Sequence, residues 1–358
     1  MSENFEITVL ITFYNSEKYV DDALYSVFHQ KTNFGYRVIA GDDGSSDGTV
    51  AKIKAWEKKY PDRLTHIVQS REAGKKYMGG TRASQNRLAL LKMVDTPFFI
   101  FLDGDDFWTD ENKLQREYDI LENPSNADCV LCAHQVKVFY EDCPEKVEFY
   151  PQNGIKERKF DIRTYIAKHY FHTDSMLIRS EYIKDLPYEY LGDFFNDSII
   201  TFCFLQFGKI YYLSECMASY RKNSSGIWAG EKKTVSILRQ IMGYDIECKI
   251  APAYKGMLAR RNYQNFVEAL KMVQTGETFA VNTSSGGGEK SGTLTGASVN
   301  ILHVPQTYMD VANKHDCTVA KNLLQNGHLF SDSDEGDRKI LKKLYFDKQV
   351  NRLYYHFK

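Results

Sequence analysis

With 358 residues the chain is too long for one ordinary domain and short for three, so one large domain plus an accessory piece is expected. Its composition, 43% hydrophobic and 26% charged, is that of a globular protein with ample core material. A formal net charge of −1 gives no electrostatic ground for a nucleic-acid partner.

The first 110 residues alternate between strand-like and helix-like patterns. Met1 to Glu6 has neither a basic nor an apolar leader region, so a cytoplasmic location is expected. Ile7 to Ile11 is a β-rich run that stops at Thr12-Phe13-Tyr14-Asn15. A helix is expected from about Ser16 as N-cap, with Val20, Leu24, Val27 and Phe28 on one face. Arg37 to Ala40 reads as a second strand leading into an acidic turn, Gly41 to Gly48, followed by helical spacing from Val50 to Tyr60. Leu64 to Val68, a helix over about Thr81 to Met93, and a buried strand from Phe98 to Leu102 complete the series. This rhythm predicts βαβ units and a mainly parallel, Rossmann-like sheet flanked by helices. Ligand-binding loops then lie beyond the carboxyl ends of the strands, where Thr12 to Asn15, Asp42 to Asp47 and Asp103 to Asp106 all fall.

Farther along, Val130 to Val138, Ser175 to Ile178 and Lys209 to Leu213 are strand-like. Helical spacing dominates beyond Lys232, in Val235 to Ile250, Lys255 to Val273 and Arg338 to Tyr355. A Gly/Ser/Thr-rich stretch, Asn282 to Ser298, reads as a loop. The expected division is an α/β domain over 1–230 and a helical region over 231–358. No stretch approaches the roughly 20 apolar residues of a spanning helix.

Asp103-Gly104-Asp105-Asp106 packs three carboxylates into four residues, which repel unless a cation joins them. A hard divalent ion, Mn²⁺ or Mg²⁺, suits such oxygen ligands and would meet substrate phosphates. The bland alternative is a solvated turn. In the Asp42 to Asp47 turn a carboxylate can bind a nucleobase or ribose; otherwise Asp47 simply caps the next helix. That turn is no calcium EF-hand loop, because Lys54 stands where a bidentate Glu belongs. Nor is Gly286-Gly287-Gly288-Glu289-Lys290-Ser291 a phosphate loop, since Glu289 replaces the required Gly. The seven scattered cysteines read as reduced thiols, and the lone CxxC of Cys129 and Cys132 lacks the second pair a zinc site needs.

Together these segments resemble the family 2 glycosyltransferases, inverting enzymes of the GT-A fold. ITVLITFYNSEKYVDDALYSVFHQ, GDDGSSDGT and FFIFLDGDDFWTDENKLQ occur in the family's order, and FHTDSMLIR, FFNDSIITFCFLQFGKIYYL and SYRKNSSGIW look like later segments of a bacterial surface-glycan branch. The resemblance implies a nucleotide-sugar donor, UDP-linked, and a glycan or lipid-linked acceptor, with a hexosyl or N-acetylhexosaminyl group transferred. It implies that Thr12 and Tyr14 frame the base and Asp43 hydrogen-bonds it. Arg82 and Asn86 stand at polar positions before the metal strand. Asp103-Gly104-Asp105 matches the DxD motif facing the donor, and either Asp105 or Asp106 carries the metal bond. The implied general base is Asp197, with Asp193 as runner-up. Asp197 can also be read as a helix N-cap. Arg221 is read either as serving the phosphates or as an ordinary ion-pair residue, while Asn223 replaces the branch's histidine. His172 reads most simply as packed or solvated. Tyr, Phe and basic residues in Arg352 to Lys358 offer a peripheral membrane contact as the alternative to packing on the catalytic domain. A sugar-nucleotide-forming nucleotidyltransferase and a non-catalytic sugar-nucleotide binder are the competing functions.

Overall fold

Strand β1 (Phe5–Phe13) is central because Ile7, Val9, Leu10 and Ile11 are all fully buried, a continuous apolar run that only a sheet covered on both faces can hide. The computed structural model describes residues 5–152, 154–168, 170–223, 233–275, 306–326, 329 and 335–345. Two compact units result, Met1–Ala229 and Gly230–Lys358.

In the first unit the chain continues through α1 (Val20–Phe28), β2 (Gly35–Asp42), α2 (Thr49–Lys59), β3 (Leu64–Val68), α3 (Thr81–Leu91) and β4 (Phe98–Asp103). Strands β3, β2, β1 and β4 lie side by side and parallel, as βαβ connections require. The start of α1 differs from expectation. Ser16 accepts the Tyr19 and Val20 amides at its carbonyl, but its hydroxyl turns back to the Tyr14 carbonyl at 3.3 Å and provides no side-chain cap. At the start of α2 the N-cap position falls on Gly48, one residue past Asp47, whose carboxylate accepts the Thr49 amide at 3.0 Å.

Next come β5 (Phe107–Trp108), α4 (Lys113–Glu122), β6 (Cys129–Tyr140), β7 (Val147–Tyr150), β8 (Arg158–Phe160), α5 (Ile162–Lys168), β9 (Met176–Arg179), α6 (Tyr188–Leu191), α7 (Asp197–Phe204) and β10 (Lys209–Lys222). They extend the sheet in the order β4-β9-β6-β10-β5, with antiparallel pairings except between β6 and β10. The result is a mixed sheet of the GT-A kind. Strand β10 outruns the expected Lys209 to Leu213 by nine residues, because register shifts around Cys216 carry it past Ser214 and Glu215. Its far end thereby comes beside the acidic turn. Cys129 and Cys132 are free and buried, and burial pushes the Cys129 thiol up to about 11.

The second unit is helical: α8 (Lys233–Ile250), α9 (Lys255–Arg261), α10 (Tyr263–Thr275), α11 (Gln306–Lys314), α12 (Thr318–Asn326) and α13 (Glu335–Tyr345). The single helix expected over Lys255 to Val273 is two. Asn262 breaks it by turning its side-chain amide onto the Leu258 carbonyl at 3.0 Å. Asp245 of α8 receives the Val319 and Ala320 amides, each at 3.0 Å, and so caps α12 from a neighbouring helix. Among the described residues no helix is long and apolar enough to cross a membrane. Asn282 to Ser298, with its phosphate-loop lookalike, and Arg352 to Lys358 lie outside the described residues.

Candidate active site

The carboxyl ends of β1, β2 and β4 open into a cavity of about 830 Å³, also lined by Tyr170 and His172, by Asn196 and Asp197, and by the end of β10. One wall is built from the first two βα turns. Asp42 closes its own turn, accepting the Gly44 and Ser45 amides at 2.9 Å each, which leaves Asp43 as the carboxylate at the cavity. Arg71 and Arg82 each donate to one oxygen of Asp43, and the Arg71 guanidinium lies 3.5 Å from the centre of the half-exposed Tyr14 ring. Asn86 lines the same wall but spends its amide on backbone and side chain: Nδ2 donates to the Gly41 carbonyl at 2.8 Å, and Oδ1 accepts from Gln69 at 2.6 Å.

The acidic turn follows directly from β4. Gly104 is required there, because a Cβ would meet the Phe13 ring at 2.2 Å and the Thr12 carbonyl at 2.7 Å. Asp103 accepts the Thr12 hydroxyl at 3.1 Å and a nitrogen of buried Arg87 at 2.7 and 2.8 Å. Burial would raise the Asp103 carboxyl, but Arg87 and His172 outweigh it and hold it below the usual range. Asp105 lacks such a cation; burial, then the Asp103 charge, push it up to about 7. Asp106 is completely buried: Oδ1 accepts the Arg221 amide at 2.6 Å, whereas Oδ2 is buried with no hydrogen-bond partner. Burial and the nearby Asp174 and Asp105 drive its carboxyl far up.

His172 is buried, not solvated, and stands among carboxylates. Burial lowers its imidazole, yet Asp174, Asp197 and Asp103 together lift it to about 9. Ligand atoms of Asp103, Asp106 and His172 all lie within 4.8 Å of one another. The orphaned Asp106 oxygen and the two-carboxylate, one-imidazole donor set fit a divalent cation such as Mn²⁺ or Mg²⁺. Of the expected metal pair, Asp106 belongs to this cluster, while Asp105 lines the cavity beside it.

Asp197 opens α7, but the cap is its neighbour: Asn196 Oδ1 accepts the Ile199 amide at 3.2 Å. Asp197 is thereby free to accept the Tyr170 hydroxyl and, at 3.0 Å, the Thr173 hydroxyl. Arg87 and the far nitrogen of His172 each stand 4.0 Å from it. Asp193 is not among the described residues lining the cavity. Arg221 lines it, with its guanidinium paired to Asp22 at 2.9 Å and to Glu141 at 3.7 Å; Asn223 lines it too.

The glycosyl transferase family 2 model matches residues 8–186, from β1 through β9 into the segment before α6. The chain belongs to glycosyl transferase family 2. It is 27% identical over 223 residues to an uncharacterized protein of Mycobacterium tuberculosis, spanning 62% of this chain and 60% of the relative. It is 24% identical over 236 residues to the processive diacylglycerol beta-glycosyltransferase of Mycoplasma pneumoniae, spanning 61% of this chain and 67% of that one. The fold is similar to that of residues 1–349 of S. aureus TarS in complex with UDP-GlcNAc, with a TM-score of 0.52, 17% identity and 73% of each chain covered.

Within this family 2 site, sequence reasoning passed over Arg87, Tyr170 and Asp174, and gave His172 no part in a cation site. Arg87 carried a faint signal, a charge at the head of the apolar run Leu88-Ala89-Leu90-Leu91, where a buried arginine needs a buried acid. His172 and Asp174 carried none. They sit in a short 3₁₀ turn, Thr173–Ser175 and its flank, whose place under the acidic turn is set by β9 pairing with β4 and β6.

Proposed function

We propose that this chain transfers a sugar, with inversion, from a UDP-linked donor to a hydroxyl of a glycan or lipid-linked acceptor in surface-polysaccharide or lipooligosaccharide synthesis. The observation that carries the reading is the gathering of Tyr14, Asp43, Asp103, His172 and Asp197 around one cavity, with buried Asp106 within 4.8 Å of Asp103 and His172. Tyr14, Thr12 and Asp43 take the base end, with Arg82 and Asn86 behind them. Asp103, Gly104, Asp105 and Arg221 take the diphosphate-sugar end. Asp103, Asp106 and His172 would hold the divalent ion, which would supply positive charge to offset that of the departing nucleoside diphosphate.

Asp197 acts as the general base. The acceptor oxygen attacks the anomeric carbon, its proton passes to an Asp197 carboxylate oxygen, and the bond to the diphosphate oxygen breaks with its electron pair. The Tyr170 and Thr173 hydroxyls fix the carboxylate's orientation, and Arg87 stands 4.0 Å from it. UDP follows the ligand in the TarS complex, and a lipid-linked acceptor is in keeping with the diacylglycerol-modifying relative. The test is incubation of purified protein and Mn²⁺ with a panel of UDP- and GDP-sugars. Binding and slow release of the nucleoside diphosphate are expected; a panel with neither binding nor hydrolysis sinks the reading.

A further inference from the structure

Asp174 has no part in the reaction as proposed, yet it is completely buried and touches all three members of the candidate cation site. Its Oδ1 accepts the Asp103 backbone amide at 3.0 Å. Its Oδ2 stands 3.1 Å from His172 Nδ1, and its carboxyl is within hydrogen-bonding reach of Asp106. Asp174 is itself anchored, since its carbonyl accepts the Trp108 indole N–H at 3.2 Å and the 3₁₀ turn is closed by Ser175 N–H on the His172 carbonyl at 3.0 Å.

Two oxygens in this cluster, Asp174 Oδ2 and Asp106 Oδ2, are buried without an aligned hydrogen bond. Two buried carboxyls set side by side are costly unless a cation joins them, so the arrangement has a purpose beyond packing. We propose that Asp174 is a positioning residue that assembles the cation site. One side chain sets the end of β4, the rotation of the His172 ring and the place of the Asp106 carboxyl. This rests on the metal reading of the proposed function. Residues behind metal ligands commonly change affinity by about 10- to 100-fold when replaced.

Asp174→Asn keeps the size of the side chain and an oxygen for the Asp103 amide. It places an N–H donor where His172 and Asp106 met an acceptor, reversing what the site asks of both. Mn²⁺ affinity is read by electron paramagnetic resonance titration with UDP present, and UDP affinity by calorimetry in EDTA. The expected result is a Mn²⁺ affinity at least about tenfold weaker, with metal-free UDP affinity unchanged. Equal Mn²⁺ affinity in the two proteins overturns the proposal, as does a parallel loss of both affinities, which marks a merely structural role. Wild-type protein that binds UDP but no Mn²⁺ defeats the metal reading itself, a distinct failure. Should Asp174→Asn not fold, Trp108→Phe removes the anchor of the Asp174 carbonyl while keeping an aromatic ring beside Lys113. A several-fold weaker Mn²⁺ affinity is then expected, and an unchanged one overturns the proposal.

Discussion

Asn196 and Asp197 stand side by side at the start of α7 and divide two tasks. A helix start needs one acceptor for its free amides, and Asn196 supplies it, leaving Asp197 to face the cavity. Asp197→Asn should therefore keep the helix and donor binding while slowing transfer by about 10²- to 10⁴-fold, as seen in transfer kinetics beside a donor titration. Transfer at the wild-type rate would remove Asp197 from the role of base. Arg87 is the complementary case. It is buried against Asp103 and 4.0 Å from Asp197, so Arg87→Met leaves two partly buried carboxylates without their cation. A stability loss of roughly 3–5 kcal/mol is expected in urea unfolding. Asp103 was legible in the sequence because a carboxylate cluster in a turn is conspicuous. Arg87 was not, because its partners lie 16 and 110 residues away in the chain.

Among the elements, α4 carries an unusual pair, with Lys113 and Glu117 both fully buried and the ammonium 4.4 Å from the centre of the Trp108 ring. At i,i+4 such a pair is ordinarily a surface feature. Burial pushes Glu117 up to about 7 even against the pull of Lys113, and burial pulls Lys113 down. Glu117→Gln should destabilise the protein by about 3–5 kcal/mol, because it strands a buried ammonium. The double change Lys113→Met with Glu117→Leu should be neutral or stabilising by about 1–4 kcal/mol, since it removes both desolvation costs. Denaturant titration of the single and double variants checks both outcomes. The turn after β4 is equally constrained. Gly104→Ala drives a methyl into Phe13 and should cost about 1–3 kcal/mol, measured the same way.

Across the whole molecule, a ligand that binds only the folded state raises its apparent stability. UDP with Mn²⁺ at about 100 times the dissociation constant should add roughly 2.7 kcal/mol, a rise in Tm of about 4–6 °C by scanning fluorimetry. EDTA should take back part of that shift, the part due to the Asp103–Asp106–His172 cluster; a shift indifferent to EDTA would argue against a cation there. The sequence alone determined the strand–helix alternation, the place of three polar loops at one sheet edge, and Asp43, Asp103 and Asp197 as residues to examine. Each of these is written locally, in hydrophobic period, turn chemistry or a motif. Only the tertiary structure decided which groups meet. Strand β9 inserts between β4 and β6 and sets His172 and Asp174 under the acidic turn, and the shifted register of β10 brings the Arg221 amide to Asp106. The reason is physical: those contacts join residues 66 to 115 positions apart, and strand pairing over such distances leaves no period in the chain for a reader to find.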